Sequence, residues 1–257
     1  MLGQVKLMAI IKCSDVKKTY VTGEVVVEAL KGVSLEVRQG EMVAIMGPSG
    51  CGKTTLLNCL SGIDDVTAGK IEIEETDLTT LNDDQKSRFR AQRMGFIFQF
   101  YNLLPVLTAI ENVELPLLIC GEDPSKAREK AMALLTLVGL KDRAMLRPNA
   151  LSGGERQRVT IARALVKKAP INIFDDSFSA LDYRTDTKLR QALKQDLGGS
   201  TVIIVTQRVA TIMNADRILV VSDGRIIEDG DHRTLMRKKG HYHDLYVSQF
   251  IDESVDA

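Results

Sequence analysis

The chain has no tryptophan, and aromatics make up only 5% of its 257 residues. That leaves little material for a stacking platform of the kind that holds single-stranded nucleic acid. Neither sign of charge is in excess: Lys plus Arg number 34 and Asp plus Glu number 34, so no basic field draws the protein to DNA or RNA. Its four cysteines, Cys13, Cys51, Cys59 and Cys120, show no C-x-x-C or zinc spacing. A reduced, cytosolic compartment is the expectation. No apolar run approaches the roughly 18 residues needed to cross a bilayer. Residues 1–11 lack the long apolar stretch and cleavage site of a signal peptide. The chain is expected to be soluble by itself, with enough length for one large domain or two small ones. Linkers, low-complexity blocks and internal repeats are missing too.

What is present is organised around Gly47-Pro48-Ser49-Gly50-Cys51-Gly52-Lys53-Thr54-Thr55. This stretch follows a strand-like run, Met42 to Met46, and opens a helix-like run, Lys53 to Leu60. It fits the phosphate loop G-x-x-x-x-G-K-[ST] in the context that gives the pattern meaning, strand before and helix after. Glycines let the backbone turn its N–H groups inward as an anion nest, and the helix adds about half a positive charge at its N-terminus. Lys53 can place its ammonium between β- and γ-phosphates, and the Thr54 hydroxyl can ligate Mg²⁺. The loop therefore predicts binding of a nucleoside triphosphate. Cys51 fills a small space inside it, and an alkylated thiol there should block the nucleotide.

Upstream, Ala9 to Cys13, Val25 to Val27 and Val33 to Val37 read as strands with turns at Gly23 and Gly40. Tyr20 stands among polar neighbours; it either stacks on a purine face or packs. Downstream, Gly69 to Ile73 reads as a short strand, Asp83 to Arg93 as a charged helix, and Met94 to Gln99 as an apolar strand ending in an amide. Gln99 either reaches a Mg²⁺ or its water, or makes ordinary backbone bonds. Phe100 to Val106 is an apolar loop, Thr108 to Leu118 a helix, and Ser125 to Val138 a helix with Ala131, Leu134, Leu135 and Val138 on one core-facing side.

A second anion site follows at Leu151-Ser152-Gly153-Gly154-Glu155-Arg156-Gln157, where Ser152 opens a helix running to about Lys168. With one phosphate site already supplied, a second suggests closure on another molecule's nucleotide. Ile171 to Asp176 is a buried strand ending in two carboxylates: Asp175 is placed to hold Mg²⁺ through water, Asp176 to polarise the attacking water. Thr201 to Val205 is a core strand ending at Thr206-Gln207, and Asp223-Gly224 turns a hairpin between Arg217–Val221 and Arg225–Glu228. Asp231 caps a last helical region holding His232, His241 and His243, all expected on the surface.

The phosphate loop, the Gln99 strand end, Leu151 to Gln157 and Phe174-Asp175 together resemble the ATP-binding cassette ATPases over nearly the whole chain. The resemblance implies an α/β P-loop NTPase fold: a single ATPase domain, 1–257, with a RecA-like core, an antiparallel β subdomain and an α-helical subdomain at about 100–165. It implies two chains meeting head to tail around two ATP, each phosphate loop facing the other chain's Ser152-Gly153-Gly154. It assigns Tyr20 to adenine stacking, Gln99 to a mobile loop and Asp182 to a dimer-spanning loop. The implied cofactors are ATP and Mg²⁺, with Thr54, Gln99 and Asp175 on the metal. The implied partners are a second cassette and a transmembrane permease, with the chain peripheral on the inner face of the cell membrane. DNA-repair and translation cassettes resemble split or tandem chains. Here the two motif halves lie only about 100 residues apart, with no room for a coiled-coil insertion.

From Glu28 to about Leu165, with Phe100 to Pro105 and Glu111-Asn112-Val113, the text resembles the stand-alone ATPase subunits of lipoprotein-releasing and macrolide-export systems. From Ile171 onward, Phe174 to Asp182 and Gln207 to Ile212 resemble exporters with fused membrane helices, particularly heterodimeric ones. A natural or engineered hybrid joined between 166 and 171 is the expectation. Two positions depart from the family pattern: Asp176 stands where Glu is usual, and Gln207 where His is usual. Both weaken in-line attack on the γ-phosphate while sparing Lys53, Thr54 and Asp175. Binding is expected intact and hydrolysis slow, with an ATP-gated dimerisation module of little turnover as the rival reading.

Overall fold

The computed structural model describes residues 8–98, 100–175 and 199–255. The chain divides into two compact units, one of Met1–Ser87 with Thr201–Ala257 and one of Arg88–Ser200.

The first unit opens with two 14-residue strands, β1 (Ala9–Thr22) and β2 (Val25–Arg38), paired antiparallel around the Gly23-Glu24 turn. The sequence reading breaks this stretch into three short strands, and the reason for the difference is local. Asp15 sits at φ 47° and Gly32 at φ 90°, both beside shifts of register, so bulges carry the pairing past the polar interruptions. Glycine is favoured at Gly32 because its φ of 90° is one that L side chains rarely adopt. The strand β3 (Met42–Met46) leads through the phosphate loop into α1 (Lys53–Leu60). Strands β4 (Ala68–Ile73) and β5 (Thr76–Asp77) then extend the antiparallel sheet to the order β2-β1-β4-β5. The helix α2 (Asp83–Arg93) has Asp83 and Asp84 in its first turn and Arg90 and Arg93 in its last, complementing its dipole.

The second unit holds β6 (Met94–Ile97), α3 (Ala109–Ile119), α4 (Pro124–Leu137), α5 (Gly153–Leu165) and β7 (Ile171–Asp175). The strands β6 and β7 pair in parallel, and every residue of β7 is buried. Ala131, Leu135 and Val138 are buried as the spacing predicts, while Leu134 is only half-buried. The helix α5 stops at Leu165 rather than near Lys168, since Lys168 turns to φ 48° and Lys167 donates to the carbonyls of Arg90 and Ala91.

The chain then returns to the first unit with β8 (Thr201–Val205), α6 (Val209–Ile212), β9 (Arg217–Ser222), β10 (Arg225–Gly230), α7 (His232–Lys238) and α8 (His241–Val255). There β3 lies between β8 and β9, parallel to both, and β10 pairs antiparallel with β9. Parallel strands buried on both faces explain the unbroken apolar text of Met42–Met46 and Thr201–Val205. Asp231 caps α7 by accepting from Thr234 N at 2.7 Å, as its position suggests. His241 is exposed as expected, but the other two histidines are less so: His232 packs beside the fully buried Tyr242, Nδ1 2.7 Å from its hydroxyl, and His243 is half-buried.

One buried polar side chain organises the apolar loop of the second unit. Asn112 on α3 accepts from Leu104 N at 2.8 Å, and its Nδ2 lies 2.9–3.2 Å from the carbonyls of Leu104, Leu107 and Thr108. Thr108 and Glu111 close the helix start as a capping box. Replacing Asn112 by Ala strands these loop groups away from water, so Asn112→Ala should lower the unfolding free energy by about 2–3 kcal/mol. Urea denaturation with an unchanged m-value is the measurement.

Candidate phosphate-binding and signature sites

The phosphate loop is held in shape by backbone packed against backbone. Gly47 lies at φ 148°, and a Cβ there would sit 2.0 Å from the Val221 carbonyl oxygen at the end of β9. Gly52 lies at φ 104°, and a Cβ would sit 2.5 Å from the Ala29 carbonyl oxygen of β2. No other residue fits either place without moving a strand. The β9–β10 turn closes the arrangement: Gly224 N donates to Cys51 O at 3.0 Å, Gly224 O accepts from Lys31 N at 2.9 Å, and Lys31 Nζ pairs with Asp223 at 2.5 Å. The ion pair holds the exposed Asp223 carboxyl below the usual aspartate range, through the hydrogen bond from Lys31 first and its charge second.

Inside this frame Lys53 is only 7% exposed. Its ammonium donates to Gly47 O at 2.9 Å and Pro48 O at 2.6 Å, with Cys51 Sγ at 3.6 Å. A lysine charge is buried here at the mouth of a helix whose N-cap, Gly52, offers no side-chain acceptor to the first turn. Those first-turn N–H groups are free to meet an anion, and the cradle has no Cβ in the way. The residues therefore fit a triphosphate. Thr54 presents an exposed hydroxyl and Thr55 a half-buried one. Pro48, Ser49 and Gly50 form the exposed crest of the loop.

Tyr20, on β1, is 38% exposed, and its hydroxyl donates to Asp64 Oδ2 at 2.6 Å. Burial first, and the Asp64 hydrogen bond second, push the phenol up to about 12. Lys18 Nζ lies 4.8 Å over the centroid of the Tyr20 ring. Gln207, at the end of β8, has an exposed side chain, while its carbonyl accepts from Gln249 Nε2 at 2.5 Å. Gln249 Oε1 also accepts from Val209 N at 2.8 Å, so α8 pins the turn that carries Gln207.

The second unit carries the other candidate residues. Ser152 caps α5: its hydroxyl accepts from Glu155 N at 3.3 Å, and Glu155 Oε2 accepts from Ser152 N at 2.8 Å. That bond from the Ser152 backbone, then the one from its hydroxyl, hold the Glu155 carboxyl below its ordinary value. A Cβ on Gly153 would meet only the Tyr101 hydroxyl, 3.1 Å away, and one on Gly154 nothing closer than 3.9 Å, so there is room beside both glycines. Asp175 ends β7 with its carboxyl buried. Gln99, Asp176 and Asp182 lie outside the described residues.

The reading of the sequence finds the loop but not what braces it. Asp223-Gly224 is legible as a turn, yet its bond to Cys51 depends on β9 lying beside β3, which no local pattern reveals. Asp64, Lys18 and Gln249 likewise show no signal in the text, since each acts on a residue tens of positions away. Among the described residues no cluster of three metal-ligating His, Cys, Asp or Glu side chains occurs, and no helix is long and apolar enough to cross a membrane.

A family profile described as "ABC transporter" matches residues 30–179. The chain is 42% identical over 225 residues to MJ0796 of Methanocaldococcus jannaschii, an uncharacterized ABC transporter ATP-binding protein, covering 84% of this chain and 94% of that one. It is 40% identical over 227 residues to the macrolide export ATP-binding/permease protein MacB of Brucella melitensis. That match spans 88% of this chain but only 35% of the longer relative. Among solved structures, the dimeric post-hydrolysis state of MJ0796 bound to ADP and Pi superposes with a TM-score of 0.83, at 40% identity over 87% of this chain and 99% of that one. A bacterial Atm1-family ABC exporter with ATP bound also gives 0.83, at 31% identity over 96% of this chain and 43% of that one.

Two glycines at the same φ of 71° separate the brace from mere backbone strain. A Cβ on Gly224 would lie 2.8 Å from Ala29 O, whereas one on Gly139 meets nothing within 4 Å. Gly139→Ala should cost about 1–2 kcal/mol of stability and leave ATP affinity unchanged. Gly224→Ala should carry the same strain and also weaken ATP binding about tenfold or more, by calorimetric titration, because it shifts the turn that holds Cys51 O.

Proposed function

The chain belongs to the ABC transporter family of ATP-binding cassettes, and from that membership we propose that it is the ATP-driven motor subunit of a membrane transporter. It binds ATP and acts as an ATP hydrolase of the P-loop type, working as a pair of cassettes beside a transmembrane permease. The observation that carries this reading is the phosphate loop, with its buried Lys53 ammonium and the uncapped N-terminus of α1. In this proposal the loop 47–55 takes the phosphates of one ATP, Tyr20 takes the adenine, and Ser152-Gly153-Gly154 of the second chain closes over the γ-phosphate. Lys53 exchanges its bonds to the Gly47 and Pro48 carbonyls for phosphate oxygens, at no cost in buried charge.

Mg²⁺ is the fitting metal, because the candidate donors are oxygens: the Thr54 hydroxyl, the Asp175 carboxylate and the Gln99 amide. When bound, it neutralises charge on the β- and γ-phosphates. Asp176 acts as the base or water-positioning group and Gln207 faces the γ-phosphate, with Asp182 at the dimer contact. The apolar loop after Gln99 is the coupling element; Phe100, Leu104 and Val106 are exposed and suited to a groove on a permease. We place the chain on the inner face of the membrane through that partner, as one cassette domain with a helical subdomain at about 100–165. The proposed hybrid join, 166–171, spans the connection between α5 and β7, where two related halves meet without cutting the body of an element.

The substrate and the direction of transport follow from the permease and not from these residues. The distinguishing question is turnover. General base catalysis contributes about 10²–10⁴-fold in rate. Asp176→Glu with Gln207→His should therefore raise steady-state ATPase by at least tenfold while ATP affinity stays within a factor of two or three. Wild-type chains should form long-lived dimers with ATP and monomers with ADP, by light scattering. Robust wild-type hydrolysis unchanged by the double substitution would remove the slow-motor reading. Dimerisation with no turnover in either protein would leave the ATP-gated switch instead.

A further inference from the structure

The strand and turn that surround Tyr20 are more heavily built than a packing role needs. One carboxylate, Asp64, serves two groups at once: Oδ2 accepts from the Tyr20 hydroxyl at 2.6 Å, and Oδ1 accepts from Lys18 Nζ at 2.5 Å. Lys18 also donates to Asp65 O at 2.7 Å, and the same ammonium covers one face of the Tyr20 ring, 4.8 Å from its centroid. The backbones are stitched together beside them, Thr19 N to Thr67 Oγ1 at 2.9 Å and Thr67 N to Lys17 O at 2.8 Å. Burial raises the Asp64 carboxyl, but the hydrogen bonds from Lys18 and Tyr20 outweigh it and hold the group below its ordinary value. It stays ionised and acts as an acceptor throughout the physiological range.

Asp64 is itself seated by α1. The turn after that helix is fixed by Ile63 N and Asp64 N, both donating to Asn58 O, at 2.9 and 3.1 Å. The helix that starts at Lys53 as the end of the phosphate cradle thus finishes at the turn that carries the Tyr20 tether. Its eight residues span about 12 Å. An aromatic ring with two free torsions is thereby held at its tip as well as at its root. One of its faces is already taken by a cation.

We infer that Asp64 is a positioning residue for the nucleotide base: it fixes the plane of the Tyr20 ring at a set distance from the phosphate cradle and, by holding Lys18 on one face, leaves a single face for a purine. The inference rests on the base-stacking role proposed for Tyr20. It adds that the ring is pre-set by a charged tether from α1, so the entropy of ordering it is spent in folding and not at binding.

Calorimetric titration of the full chain with ATP and, separately, with inorganic tripolyphosphate tests it. Tyr20→Phe keeps the ring and removes only the tether, so it probes the role without disturbing the turn; Asp64→Asn removes the charge. Each should weaken ATP about 3–10-fold and tripolyphosphate less than twofold, and the double variant should be no worse than the weaker single one. Tyr20→Ala should cost ATP about tenfold or more. If Tyr20→Ala binds ATP as the wild type does, base stacking fails and the inference with it. If Tyr20→Ala weakens ATP while Tyr20→Phe and Asp64→Asn match the wild type, the tether alone fails. Equal losses for ATP and tripolyphosphate in Asp64→Asn would mean that Asp64 merely supports the fold, which also overturns the positioning role.

Discussion

A lysine charge held inside a ring of backbone carbonyls is the constraint on which the first unit depends. Lys53 is buried and satisfied by Gly47 O and Pro48 O, groups of the same loop that lifts it into place. A buried ammonium without acceptors beside it would carry a large desolvation penalty. The loop offsets it with two of its own carbonyls, and its glycines let the backbone come closer to neighbouring strands than any side chain allows. Val221 O against Gly47, Ala29 O against Gly52 and Cys51 O on Gly224 N are all backbone contacts. A frame of that kind has few rotatable parts, which suits a site that must present donors to a polyanion without first rearranging.

The two helix N-termini in the candidate site differ in a way that bears on how a pair of cassettes would work. The first turn of α1 has no side-chain cap, whereas α5 carries a complete Ser152–Glu155 capping box with Arg143 on the far side of Glu155. Capping satisfies part of the helix end in advance and places a carboxylate near it, so an anion arriving at Ser152 finds fewer unmet donors and a negative neighbour. The N–H groups of Gly153 and Gly154 are not taken by the Ser152 side chain, which accepts from Glu155 N. In the proposed roles, tight phosphate holding would belong to the loop, and the capped end suits a weaker, reversible contact. That division matches a head-to-tail pair that must come apart in every cycle.

Local chemistry was legible in the text; long-range geometry was not. The helices Lys53–Leu60 and Asp83–Arg93 match the bounds that glycine, terminal charge and apolar spacing suggest, because those signals lie inside the segments themselves. The strand Thr201–Val205 reads correctly for the same reason. By contrast β1 and β2 look like fragments, since bulges at Asp15 and Gly32 only make sense once the two strands face each other. His232 looks like a surface residue until Tyr242, ten positions on, folds over it. In the site, the nine loop residues are visible because backbone conformation restricts them to particular types. The Gly224 brace, the Asp64 tether and the Gln249 clamp are ordinary polar residues whose partners only the fold supplies.

Grip and turnover have separate physical sources in this chain, and the departures from the family pattern fall on only one of them. In the proposed site, binding draws on backbone N–H groups, a helix end and Lys53, all fixed by the packing around the loop. Hydrolysis needs groups that act on charge and protons present only in the transition state. In their proposed roles, a carboxylate one methylene shorter at Asp176 and an amide in place of imidazole at Gln207 bear on the transition state and not on the groups proposed to hold the triphosphate. Gln207 is moreover held through its backbone by Gln249, and its side chain is exposed. An amide at that place can orient a phosphate oxygen but cannot share charge with it as a protonated ring can. If Asp176 and Gln207 act as proposed, the ATP-bound state forms readily and leaves slowly.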